Sequence, residues 1–301
     1  MIDVTHTGSA PSTSFGVRSS VAPLRRVAVR GPGAILTADP DRWHYDGPLD
    51  PTRLAAEHAQ FVEAVSAAGA TVEWFDDDPG DDLADSVFTY DPSFVVGSGA
   101  VVLRPGKQLR APEAELHEAF YERLGIPVLG RIEAPGTVEG GDCFWLDDHT
   151  LAVGRGFRTN DAGIDQLRDI VAADRIEVEV FDLPYHLGPE ACLHLMSLVS
   201  MLDDDLALVH AALLPTPLWQ RLRARGVELL VAPPDEFDAS QGLNLNVLAT
   251  GPRSLIAIDG FPDTVGILRG AGCDVTLVPG GGLCIPCEGG PTCLTRPLER
   301  R

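Results

Sequence analysis

The chain has 301 residues, 45% hydrophobic and 22% charged, a composition that supports a packed core and argues against disorder. Its formal charge is −21 and Lys107 is the only lysine, so the basic patch that nucleic acid or an anionic membrane demands is absent. An acidic field of this size keeps a protein soluble and favours small cationic ligands.

The first twenty residues, MIDVTHTGSAPSTSFGVRSS, are polar and lack the apolar core of a signal peptide. Residues 1–23 are therefore expected to form a flexible leader, 24–301 a single catalytic domain, and the protein to be cytoplasmic. No apolar run approaches the roughly 18 residues that a membrane span needs. Six cysteines without a secretion signal do not suggest a disulfide framework.

After the leader, RRVAVRGPG reads as a strand. A long loop over 31–50 follows, a candidate lid, then the helical LAAEHAQFVEAVSAAG and the strand-like ATVEWF. Next comes VFTYDPSFVVGSGAVVLRPG, two β-rich runs joined by turn residues, then the helical PEAELHEAFYERLG and the β run IPVLGRIEAP. The same frame recurs three times. CFWLDDHTLAVG, LVSMLDDDLALVHAALL and LNVLATGPRSLIAIDGF are hairpins with polar turns. Each precedes a helix start (TNDAGIDQLRDIV, PTPLWQRLRARG, PDTVGILRGAG) and a further β run (RIEVEVFDLP, VELLVAPP, CDVTLVP). The unit is ββαβ, repeated five times at a spacing of roughly 45–60 residues, a period typical of closed repeat arrays. The expected fold is an α/β propeller of five blades, closed by the last strand, with a central channel where the loops converge.

In such a ring, reactive side chains come from different units. In TVEGGDCFW, Glu139 stands before a Gly-Gly pair at the entry of a hairpin strand, where a carboxylate is aimed inward. In CLHLMSLVS, His194 stands at nearly the same place of its own unit. Alone it reads as a core histidine satisfied by a backbone carbonyl. Beside Glu139 it reads as a general acid/base with an orienting carboxylate. In ADSVFTYDPS, Asp85 and Asp91 bracket a short β run and would bind a cation together; Asp-Pro is also ordinary turn chemistry. Cys293, in GGPTCLTRPLERR, becomes a nucleophile if a base such as His194 is near. Cys284 and Cys287 form a lone C-x2-C knuckle, and zinc wants a second. Arg104, Arg110 and Arg158 lie near these loops and suit carboxylate recognition.

Taken in order, DSVFTYDP, PGTVEGGD, GFRTN, CLHLMS and the terminal GGPTCLTRPL resemble the guanidino-group-modifying enzymes, the pentein superfamily of five-bladed α/β propellers. The resemblance runs from about Leu24 to the end, nearest to the dimethylarginine dimethylaminohydrolases. It implies Cys293 as nucleophile, His194 as general acid/base and Glu139 as its carboxylate partner. It also implies Asp91 as the main guanidinium-binding carboxylate with Asp85 supporting the pocket, and Arg158 and Arg110 on the substrate's α-carboxylate. It implies a small cationic guanidine as substrate and no metal or organic cofactor; a homo-oligomer is left open. Arginine deiminases and amidinotransferases carry an aspartate, and dimethylargininases a lysine, where this chain has Met196. Tyr90 replaces a dimethylargininase glutamate, and Gly140 the alanine of EAGD. The implied activity is hydrolysis of dimethylarginine to citrulline and dimethylamine. Amidino transfer, arginine deimination or dihydrolysis, and non-catalytic guanidine binding are the alternatives.

Overall fold

The hairpins read from the sequence pair as expected in a computed structural model of the chain, which describes residues 14–75, 82–189 and 191–301. In chain order the elements are β1 (Leu24–Val29), α1 (Pro40–Trp43), α2 (Pro51–Ala67), β2 (Thr71–Trp74), β3 (Ser93–Val95), β4 (Ala100–Val102), α3 (Glu113–Leu124) and β5 (Val128–Arg131). Then come β6 (Cys143–Trp145), β7 (Thr150–Arg155), α4 (Asp161–Val171), β8 (Glu177–Asp182), β9 (Val199–Asp203), β10 (Leu206–Val209), α5 (Thr216–Ala224) and β11 (Glu228–Val231). The chain ends with α6 (Pro234–Ser240), β12 (Leu248–Gly251), β13 (Ser254–Ile258), α7 (Pro262–Gly270), β14 (Asp274–Val278) and β15 (Arg296–Arg300).

The strands form five three-stranded sheets. In each, two strands pair antiparallel and the third joins the middle one in parallel across a helix, as in β6–β7–β8, where Phe144 faces Ala152 and Ala152 faces Glu179. The fifth sheet joins the two ends of the chain. β15 lies antiparallel to β1, with Val27 opposite Pro297, and β1 lies parallel to β2. Burial gives the radial order. The outermost strands β2, β5 and β11 contain no fully buried residue, whereas β3, β6, β12 and β15 are buried throughout. β3, β6, β9, β12 and β15 are thus the inner strands of five blades.

The helices cover the outside for local reasons. Asp50 caps α2 by accepting from the amides of Thr52 and Arg53, Pro51 opens it, and Leu54, His58, Phe61 and Val65 form its buried stripe. Asn160 caps α4 by accepting from Gly163 N at 2.9 Å, and Ile164, Leu167 and Val171 face inward. Of the expected leader, residues 1–13 lie outside the described residues. Residues 14–23 are bonded to the body: Gly16 N donates to Leu298 O at 2.8 Å, and Arg18 pairs with Asp174 at 3.0 Å. Helix α6 was not expected; its PPDEFDAS is short and rich in acids and prolines.

Candidate active site

Each inner strand is entered from the same end of the ring, and each entry delivers one polar side chain. Asp91 precedes β3, Glu139 precedes β6, His194 precedes β9, Asn246 precedes β12 and Cys293 precedes β15. Four of these were read from the sequence. Asn246, in LNLNVLATG, was missed, although it occupies the corresponding place in its unit.

Hydrogen bonds stitch the five entries into a circle. Tyr90 N donates to Cys293 O at 3.2 Å, Gly140 N to Asp91 O at 3.0 Å, and Gly141 N to Asp91 Oδ1 at 2.9 Å. Leu195 N donates to Asp142 Oδ1 at 2.9 Å, Ser200 Oγ to Leu245 O at 2.5 Å, and Thr292 N to Asn246 Oδ1 at 2.9 Å. Asp142, fully buried, also accepts from the Thr159 hydroxyl at 2.6 Å, and burial pushes its carboxyl up to about 6. The glycine pair of EGGD is demanded by this crowding. A Cβ on Gly141 would stand 2.4 Å from His194 Nδ1, and one on Gly140 would stand 2.2 Å from Tyr90 O.

Within the circle, His194 Nε2 lies 2.5 Å from Glu139 Oε2. The other carboxylate oxygen of Glu139 accepts from the amides of Gly106 and Lys107 at 2.8 and 3.2 Å, with Arg158 Nη1 at 3.4 Å. Burial alone would raise Glu139, but the hydrogen bond and charge of His194, then Arg158 and Arg110, hold it well below the usual carboxylate range. Burial likewise opposes a charged His194, yet the Cys192 sulfur, Asp91 and Glu139 hold its imidazole well above its ordinary pKa. Cys192 Sγ stands 3.7 Å from His194 Nδ1. Both shifts run towards the charged pair of imidazolium and carboxylate.

Cys293 Sγ accepts from Asn246 Nδ2 at 3.1 Å. Burial first, and the charge of Asp91 next, push its thiol up to about 11; the Gly290 amide, Asn246 and His194 work the other way. One donor atom each from Asp91, Glu139 and His194 lies within 4.8 Å of the others, a cup of two carboxylates and an imidazole suited to a small cation. Asp91 Oδ2 accepts from Arg110 Nη1 at 2.8 Å. Each oxygen of this carboxylate keeps a second lone pair for a ligand.

The remaining expected residues are placed as follows. Asp85 accepts from Tyr45 Oη and from Lys107 Nζ, both at 2.6 Å, and so fastens the 31–50 loop to the only lysine. Trp43, His44 and Tyr45 of that loop form one wall of the cavity over the cup. Arg110 is buried and largely committed, with two bonds to Glu113, one to Asp91 and one to Phe88 O; a single N–H of five is left for anything else. Arg158 lines the same cavity. Cys284 and Cys287 are buried free thiols packed in an apolar cluster. Among the described residues, no helix is long and apolar enough to cross a membrane.

Cys293 and His194 are shared by two chambers. One, of about 400 Å³, contains Asp85, Asp91, Lys107, Arg110 and Arg158. The other, of about 210 Å³, borders the same pair and is lined by Met196, Leu243 and Phe237.

The family model for arginine deiminase matches residues 80–238. The N(G),N(G)-dimethylarginine dimethylaminohydrolase of Streptomyces coelicolor is 35% identical over 236 residues, covering 78% of this chain and 82% of that protein. This chain belongs to the pentein superfamily. With a dimethylarginine dimethylaminohydrolase as a 35% identical relative and a match to the arginine deiminase model, it is a C–N hydrolase of the guanidino-modifying kind. Its fold matches a dimethylarginine dimethylaminohydrolase of Pseudomonas aeruginosa in complex with citrulline, with a TM-score of 0.74 at 22% identity, over 91% of this chain and 99% of that one. It equally matches a Microseira wollei amidinotransferase, with a TM-score of 0.75 at 18% identity, over 95% of this chain and 97% of that one. Two of this pentein's departures from the dimethylargininase pattern touch each other. Gly140 makes room for the Tyr90 carbonyl, and the Tyr90 ring lies under Arg296 at 3.9 Å.

Proposed function

We propose that this pentein hydrolyses the guanidinium carbon of an arginine derivative, converting Nω,Nω-dimethylarginine to citrulline and dimethylamine. The observation that carries the reading is the convergence of Cys293, His194, Glu139 and Asp91, from four blades, on one cation cup. Asp91 and Glu139 fix the planar cation with its carbon over the Cys293 sulfur. Arg158, which lines the same cavity as Arg110, takes the substrate's carboxylate. The arriving cation offsets the charge of Asp91, which otherwise holds the thiol protonated, so the thiol gives up its proton to solvent and the thiolate remains beside the guanidinium carbon.

Cys293 attacks the guanidinium carbon and forms a C–S bond. The C–N bond to the departing amine breaks, its electron pair stays on nitrogen, and His194 supplies the proton. Water, deprotonated by His194, then adds to the thiouronium carbon, and collapse expels the Cys293 thiolate and leaves the ureido product. Met196, an apolar side chain at the guanidinium end of the site, supports release of an alkylated amine over deimination. The test is a panel of dimethylarginine, monomethylarginine, arginine and small guanidines, with amine and ureido product both quantified. Equal amounts of dimethylamine and citrulline from dimethylarginine support the reading. Ammonia from arginine as the main product, or transfer of the amidino group to an added amine, overturns it.

A further inference from the structure

The second chamber lacks Arg110 and Arg158, the groups proposed to take the substrate's carboxylate. Its volume, about 210 Å³, would hold about seven groups of water size at ~30 Å³ each. Two methyl groups therefore leave most of it unfilled. Its lining includes Leu193, Met196, Phe237 and Leu243; the polar His186, Asp238, Gln241 and Glu288 also line it but are exposed, whereas three polar groups beside the Cys293–His194 pair are already bonded. Ser197 Oγ accepts from His194 N at 3.1 Å, Ser200 Oγ donates to Leu245 O, and Asn246 Nδ2 donates to Cys293 Sγ. The part of the wall next to that pair, apolar side chains with bonded polar neighbours, selects an apolar occupant, and the exposed polar groups are left to solvent. The half-buried thioether of Met196 can move to fit one. Because His194 and Cys293 border both chambers, a guanidinium held in the cup would adjoin this space as well as the larger one.

We infer that the second chamber takes an apolar substituent of several carbons on the departing guanidine nitrogen. The preferred substrates are then N-alkyl guanidines whose amine product is larger than dimethylamine. The inference rests on the hydrolytic reading above and keeps its balance: guanidinium and water give the urea and an alkylammonium ion. The C–N bond to the alkylated nitrogen breaks, and that nitrogen takes its proton from His194.

The experiment measures kcat/KM for Nω-methyl-, Nω-ethyl- and Nω-propyl-arginine with the intact chain and with Leu243→Trp, which fills the chamber. Because Leu243 is buried, Met196→Lys, at a half-buried position, serves as the second variant. The intact chain is expected to gain about fourfold per added methylene, the equivalent of ~0.8 kcal/mol for a buried CH₂. The propyl-to-methyl ratio is expected to fall about tenfold or more in either variant. Flat or falling values from methyl to propyl, or a ratio unmoved in both variants, overturns the inference while hydrolysis of the methylated compounds still stands. If no arginine derivative yields a ureido product, the hydrolytic reading fails and the inference falls with it.

Discussion

A thiol that resists ionisation sets the chemistry at the residue scale. Cys293 is pushed up to about 11 by burial and by Asp91, so at neutral pH the empty site holds S–H and becomes reactive only once a cation is bound. Alkylation of Cys293 by iodoacetamide, followed on its peptide, is expected to keep rising with pH towards an inflection near 11. A non-reacting guanidinium ligand that leaves the sulfur accessible is expected to move that inflection down. A rate already at plateau by pH 7 without ligand would contradict this account. His194→Gln is expected to lower kcat by about 10²–10⁴-fold, the usual worth of a positioned general acid/base, while ligand binding measured by calorimetry survives. Retained turnover would remove His194 from the mechanism.

The blade entry is the unit that matters at the scale of elements. Each inner strand begins just after a turn, and the turn fixes where one side chain points. Gly141→Ala is expected to displace the His194 ring and cost about 100-fold or more in kcat, with only a small loss of thermal stability. An alanine variant of full activity would show that the ring can yield. Asn246→Ala removes a donor to the Cys293 sulfur. Its thiol is expected to titrate higher, with kcat lowered about tenfold, and the alkylation profile reads the shift. The strands and crossover helices were legible because each hairpin sets apolar runs about a polar turn and each helix starts at a capping residue or proline. Glu139 and His194 were legible because they sit at equivalent entries. Asn246 was not, since asparagine before a strand is ordinary turn chemistry. Helix α6 was hidden by its prolines and acids, yet it supplies Phe237 to the second chamber. The attachment of Arg110 to Glu113 and of Lys107 to Asp85 depends on three-dimensional placement that spacing alone does not give.

At the scale of the whole molecule, the ring explains why Cys293, eight residues from the end of the chain, stands in the site. β15 is an inner strand, and its pairing with β1 closes the circle. Leu294 and Leu298 are fully buried, at 0% exposure, and each such side chain stabilises by about 1.5–3 kcal/mol. Removing residues 294–301 is therefore expected to abolish cooperative unfolding in a circular-dichroism melt; a melt unchanged from the full chain would contradict the closure. The acidic surface, the absence of a basic patch and a cup of carboxylates all point to a cationic ligand. The central claim is covalent catalysis by Cys293, and acid quenching during turnover of dimethylarginine, followed by peptide mapping in a mass spectrometer, tests it most directly. The account predicts an adduct equal to the substrate less dimethylamine on the Cys293 peptide, absent from Cys293→Ser. The same adduct on another cysteine, or turnover by Cys293→Ser at the wild-type rate, would contradict it.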